Sequence, residues 1–192
     1  MSKTRYTRTD SATGARAGAG RAITPNQPIR TAELAADEWR EGVRFAGAEI
    51  PLSRLGGGRD IGVNLVTVPP GKQSCPMHYH VHEEEHFYIL EGRVVLRTGD
   101  TRSTMAAGDY VCFPAGTGVG HCFENIYDAP CRLLAIGARL DHEIAVYPES
   151  GKMKLRALGR IVAFPPPDES LDYWADEHPE QILESDDPDD RE

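Results

Sequence analysis

From about residue 42 the chain breaks into short runs rich in β-branched and aromatic residues, bounded by glycine or proline. The runs 62–68, 78–82, 85–90, 93–98, 101–106, 109–113, 121–127 and 131–138 each have the length of a strand, and no helical period separates them. Eight short strands so spaced read as an antiparallel sandwich or barrel. Segments near 143–147 and 155–164 would add flanking strands. Ahead of them, 31–41 (TAELAADEWRE) reads as a short helix capped by Thr31 that buries Leu34 and Trp39.

A chain of 192 residues is long enough for one well-buried core and too short for two unless both are small. The division expected is a basic, disordered arm at 1–30, a β domain at 31–164 and an acidic tail at 165–192. Residues 1–30 carry six basic side chains and one acidic; residues 164–192 carry twelve acidic and one basic. Two large aromatics in the tail, Tyr173 and Trp174, read either as docked on the body or a second subunit, or as exposed. The net charge of -9 and pI near 5.3 argue against general affinity for nucleic acid or anionic membranes. The first 60 residues hold no helix-turn-helix pattern. No apolar run has the length of a membrane span, and no apolar block resembles a secretory signal, so a cytoplasmic protein is expected. Cys75, Cys112, Cys122 and Cys131 are irregularly spaced without a CxxC pair, which favours reduced thiols over disulfides.

The chemistry is concentrated in 71–92, GKQSCPMHYHVHEEEHFYILEG, where four histidines and three glutamates fall within nine residues. A later glycine-punctuated segment, 108–125, supplies His121. Imidazoles with one carboxylate suit a divalent transition ion such as Fe, Mn, Ni, Co, Cu or Zn. Strand parity puts His78, His80 and His82 on one face, and the strand alone does not say which of them bind. In 85–90, Glu85, Phe87 and Ile89 share a face opposite His86, Tyr88 and Leu90. If the two apolar residues face the interior, Glu85 enters with them and His86 points away. His121, Phe123 and Asn125 share a face in the same manner.

These residues resemble the two signature motifs of the cupin superfamily, G-x5-H-x-H-x3,4-E-x6-G and G-x5-P-x-G-x2-H-x3-N. His78, His80, Glu85 and Gly92 fall on the first, with Gly71 one residue further upstream than the pattern asks. Gly108, Pro114, Gly116, His121 and Asn125 fall on the second, with four residues instead of two between Gly116 and His121. The resemblance covers roughly residues 60–140. The strings NLVTVPPGK, HEEEHFYILEG, FPAGTG and YPESGK are similar to a bacterial subfamily of small single-domain cupins, some provisionally labelled sugar-phosphate isomerases.

The resemblance implies an all-β double-stranded β-helix, a jelly-roll barrel, usually a homodimer, with one divalent metal per barrel held by His78, His80, Glu85 and His121. It implies a small-molecule enzyme in which the ion acts as Lewis acid or oxygen-activating centre, of isomerase, dioxygenase or lyase type. The rival reading is a non-catalytic metal- or ligand-binding cupin with a sensing or storage role. Glu84, Tyr88 and Tyr110 are candidate acid–base groups, and the sequence does not choose among them. No other cofactor is signalled: the glycines near residue 56 lack the helix and lysine of a phosphate loop.

Overall fold

The computed structural model describes residues 25–164. Fourteen strands make up most of this span: β1 (Asp37–Glu41), β2 (Phe45–Ile50), β3 (Ile61–Val68), β4 (Lys72–Gln73), β5 (Tyr79–His80), β6 (Glu85–Glu91), β7 (Arg93–Thr98), β8 (Thr101–Ala106), β9 (Tyr110–Phe113), β10 (His121–Asn125), β11 (Cys131–Ala138), β12 (Ile144–Tyr147), β13 (Lys152–Leu155) and β14 (Arg160–Ala163). Ten form one sheet in the order β8-β7-β10-β4-β2-β3-β11-β6-β9, with β1 added on β2. Four more form a second sheet, β14-β13-β12-β5. A reciprocal main-chain bridge between His78 and His121 links the start of β5 to β10, and the large sheet curls almost closed as a cupin-type β-helix.

The expectation of alternating strands is met closely. The runs 93–98 and 101–106 are β7 and β8 residue for residue, and their hairpin pairs Arg93 with Ala106 through Thr98 with Thr101. The helix expected over 31–41 is present only as a 3-10 turn at Thr31–Glu33, and Thr31 lies inside that turn, which follows Arg30 without a side-chain cap. Asp37–Glu41 is instead a strand paired with β2. Four charged residues out of five concealed it, but an edge strand with mostly exposed side chains accommodates them. The short α-helix is elsewhere, at Leu52–Leu55. The arm up to residue 24 and the tail with Tyr173 and Trp174 lie outside the described residues.

Inward positions of the large sheet build the core from Val68, Phe87, Ile89, Val94, Leu96, Met105, Phe123, Cys131 and Leu133. Fully burying one of the large apolar side chains contributes roughly 1.5–3 kcal/mol, enough for this cluster to fix the curvature of the sheet. Gly92 makes the hairpin between β6 and β7 possible. Its φ of +77° suits a residue without Cβ, and a Cβ there would collide with the Pro130 carbonyl oxygen.

Candidate metal centre

The strands that carry the core also carry the polar cluster. On β6, Phe87 and Ile89 are buried and Glu85 lies on the same face; on β10, His121, Phe123 and Asn125 are all buried. His78 and His121 face each other as bridge partners: the His78 amide donates to the His121 carbonyl at 3.2 Å, and the His121 amide donates to the His78 carbonyl at 2.8 Å. Two imidazoles from distant parts of the sequence are thus fixed side by side by their own backbones, with ring centroids 4.9 Å apart.

Glu85 is the meeting point. Its Oε2 lies 3.1 Å from His121 Nε2, 3.3 Å from His80 Nε2 and 4.0 Å from His78 Nε2. Donor atoms about 2.1 Å from a shared ion stand about 3–4 Å apart; the ligand atoms of His78, His80 and Glu85 all lie within 4.8 Å of one another, near that span, whereas His121 falls outside this group and approaches it through Glu85. The ring orientations fit as well. His78 Nδ1 lies 3.0 Å from the Pro76 carbonyl, which can only accept, so Nδ1 carries the proton and Nε2 faces the cluster with its lone pair. His80 lies between two carboxylates, with Nδ1 3.3 Å from Glu143 and Nε2 3.3 Å from Glu85, so each nitrogen can hold a proton and the one on Nε2 is the one an ion would displace. His121 lies flat against Phe113, centroids 3.7 Å apart at 5°, and its Nδ1 is buried without a hydrogen-bond partner.

The electrostatics divide the three histidines. Burial lowers His78, helped by the charge of His80 and opposed by Glu85, and burial likewise lowers His121. Burial pulls His80 down too, but its hydrogen bond to Glu85 and the charges of Glu85, Glu143 and Glu83 outweigh it, so His80 sits above its ordinary 6.5. Burial alone would lift Glu85; hydrogen bonds from His121 and His80 and the charges of His80 and His78 hold its carboxyl far below the usual range instead. Two neutral imidazoles, an ionised carboxylate and a third imidazole that must shed its proton form a donor set suited to a divalent ion.

Other residues considered from sequence go elsewhere. β5 ends at His80, so parity does not carry on to His82, whose ring lies near His142 with centroids 5.1 Å apart. His86 faces outward, hydrogen-bonded to the Tyr110 hydroxyl at 2.6 Å and to Glu84 at 2.8 Å. Glu84 and His86 also group with Cys112, on that outer face. Tyr88 and Tyr110 are exposed, so none of the three acid–base candidates enters the cluster. Asn125 closes a strand end, its amide donating to the Val68 and Ala129 carbonyls at 2.8 and 2.9 Å. Glu83 lies inside the fold rather than in solvent. It is 4% exposed, paired at both oxygens with Arg156 and bonded to the Leu140 amide at 2.6 Å. None of the four cysteines is in a disulfide, and burial pushes Cys122 up to about 12 and Cys131 to about 11, which makes both inert.

Glu143, 1% exposed behind His80, was missed as a site residue. Its partners are more than sixty residues away in sequence, and no local pattern announces them. Tyr147 of β12 also reaches the site, its ring 5.8 Å from that of His78. Beside the cluster lies a narrow cleft walled by Tyr79, Phe113, Pro114, Thr117 and Val119. Among the described residues lining it none is lysine or arginine.

Residues 64–137 match the family described as Cupin domain. The structure superposes on a sugar phosphate isomerase from the cupin superfamily of Silicibacter pomeroyi with 36% sequence identity and TM-score 0.59, covering 65% of this chain and 78% of that one. A provisionally named sugar phosphate isomerase from Acidithiobacillus ferrooxidans gives 29% identity and TM-score 0.62 over 68% of this chain and 85% of that one. An uncharacterized protein of Methanocaldococcus jannaschii is 34% identical over 67 residues, 35% of this chain and 51% of that protein. The chain therefore spans about half the length of that curated relative. Strand order, the inward cluster and these similarities agree that the chain belongs to the cupin superfamily.

Proposed function

We propose that this cupin is a metal-dependent small-molecule enzyme in which His78, His80, Glu85 and His121 hold one divalent transition ion. The observation that carries the reading is the convergence of three imidazole Nε2 atoms on one Glu85 oxygen within 4.0 Å. Held by these residues, such an ion would supply Lewis-acid or redox chemistry. Around it, Pro76 and Glu143 orient two of the rings, and Phe113 packs flat on the third. The cleft is small for an organic substrate, which favours a ligand of few heavy atoms gripped through its oxygens. Its neighbours' sugar phosphate isomerase names motivate an aldose–ketose screen. The absence of lysine and arginine from the described walls makes unphosphorylated hydroxy-carbonyl compounds the parallel arm.

The chain is taken to act as a cytoplasmic homodimer. Tyr88 and Tyr110, cross-strand partners on the outside of β6 and β9, are 42% and 59% exposed and give a second copy an apolar surface. Native mass measured at low and high ionic strength checks this.

The experiment for the site is elemental analysis of wild type and His80→Ala after loading with Fe(II), Mn(II) or Zn(II). Wild type is expected to retain about one ion per chain and the variant none. A variant with full metal content overturns the ligand assignment.

A further inference from the structure

The ligand strand β5 is only two residues long, too short for its ladder alone to hold His80 against the cluster. Beyond its pairing with β12 and the Gly116 amide on the His80 carbonyl at 2.9 Å, it is held by a carboxylate just ahead of β12. One carboxylate, Glu143, receives three successive residues. Its Oε1 accepts from the Val81 amide at 3.0 Å and lies 3.3 Å from His80 Nδ1, and its Oε2 accepts from the His82 amide at 3.1 Å. The Glu143 backbone is itself pinned, its amide donating to Leu140 at 3.1 Å and its carbonyl accepting from Arg156 at 2.9 Å. The neighbouring carboxylate behaves differently: Glu83 is neutralised by the Arg156 guanidinium, and its nearest oxygen stands 3.7 Å from His80 Nδ1, beyond a hydrogen bond.

We infer that Glu143 is a positioning residue of the metal centre, fixing the ring orientation of His80 so that Nε2 faces the ion, whereas Glu83 serves the fold. This rests on the metal reading above. Glu143 lies outside the segment 64–137 that matches the family. It gives the residue leading into β12 a part in the site, bracing β5, the neighbour of β12 in the second sheet, behind its histidine. Ion binding should therefore tighten Glu143's grip on the His82 amide, although neither residue touches the ion.

The test uses the full chain, Co(II) as the probe, and a chelating dye as competitor. Glu143→Gln, nearly the same size, is expected to weaken Co(II) affinity about 10–100-fold while the melting midpoint of the metal-free protein stays close to wild type. Glu83→Gln, which strands the buried Arg156, is expected to do the reverse: a lower midpoint, with affinity changed only a few-fold. In wild type, hydrogen exchange at the His82 amide should slow when Co(II) is added, a readout that needs no substitution. Unchanged affinity in folded Glu143→Gln, or a His82 amide indifferent to Co(II), overturns the inference and leaves the metal site standing. Failure of wild type to take up any divalent ion overturns both.

Discussion

The two ends of the barrel interior are built on the same strands and obey opposite rules. At one end β6 and β10 present Ile89, Phe87 and Phe123 to a dry core; at the other they present Glu85 and His121 to a cluster of imidazoles. Backbone, parity and burial are shared, so the contrast comes from side-chain chemistry alone. The apolar end stabilises through contacts that any close-packed neighbour of similar shape could make. The polar end satisfies its donors only in part, since His121 Nδ1 has no partner, and a buried orphan of that kind costs about 1–3 kcal/mol. Stability is concentrated at one end, and the other gives some of it up for ligand geometry.

The hardest blow to the apolar end is Gly92→Val. A valine at φ +77° is strained, and its Cβ meets the Pro130 carbonyl; together these should cost about 4 kcal/mol or more. Loss of soluble folded protein is the expected outcome. A wild-type melting midpoint would mean that the turn governs less than argued. Ile89→Ala, at a side chain with no exposed surface, should cost about 2–5 kcal/mol by denaturant melts. The surviving folded fraction should keep its metal affinity within a few-fold.

His121→Phe inverts that pair of results. A second phenyl ring against Phe113 removes the orphaned nitrogen and also the hydrogen bond to Glu85; these opposed effects are each about 1–3 kcal/mol, so the metal-free stability should move by less than about 1.5 kcal/mol in either direction while stoichiometric metal uptake disappears. If it unfolded as readily as Ile89→Ala, the two ends would not differ as described.

The gentlest probe is pH. His80 is raised above 6.5, so below its folded value a proton competes for the same nitrogen as the ion. Metal affinity should climb as pH rises from 6.5 through that value, measured by chelator competition. The metal-free protein should meanwhile lose the stability that protonated His80 contributes. Glu85 is depressed and stays ionised through this range, so its contribution is lost only in strong acid. An affinity flat across the window would remove the proton from the competition.

Period-2 alternation made the barrel strands and the inward direction of Glu85 and His121 readable, because parity survives wherever a strand is long and regular. It stopped being informative at His82, where β5 ends, and at Asp37–Glu41, where an edge strand wears the charges of a helix surface. The second sheet's part in the site left no local trace. Glu83 meets Arg156 and Glu143 meets His80 across 73 and 63 residues, and such pairings follow from the chain's route through space rather than from any neighbouring residue.

The reciprocal bridge between His78 and His121 has an evolutionary consequence. It leaves the connecting stretch 114–120, with Thr117 and Val119 lining the cleft, tied to the cluster at one point only among the described bonds, the Gly116 amide on the His80 carbonyl at 2.9 Å. Insertions there, like the two extra residues between Gly116 and His121, can reshape what is admitted while the seat of the ion stays put. Chemistry and selectivity can then diverge independently, and relatives that keep the seat need not keep the guest.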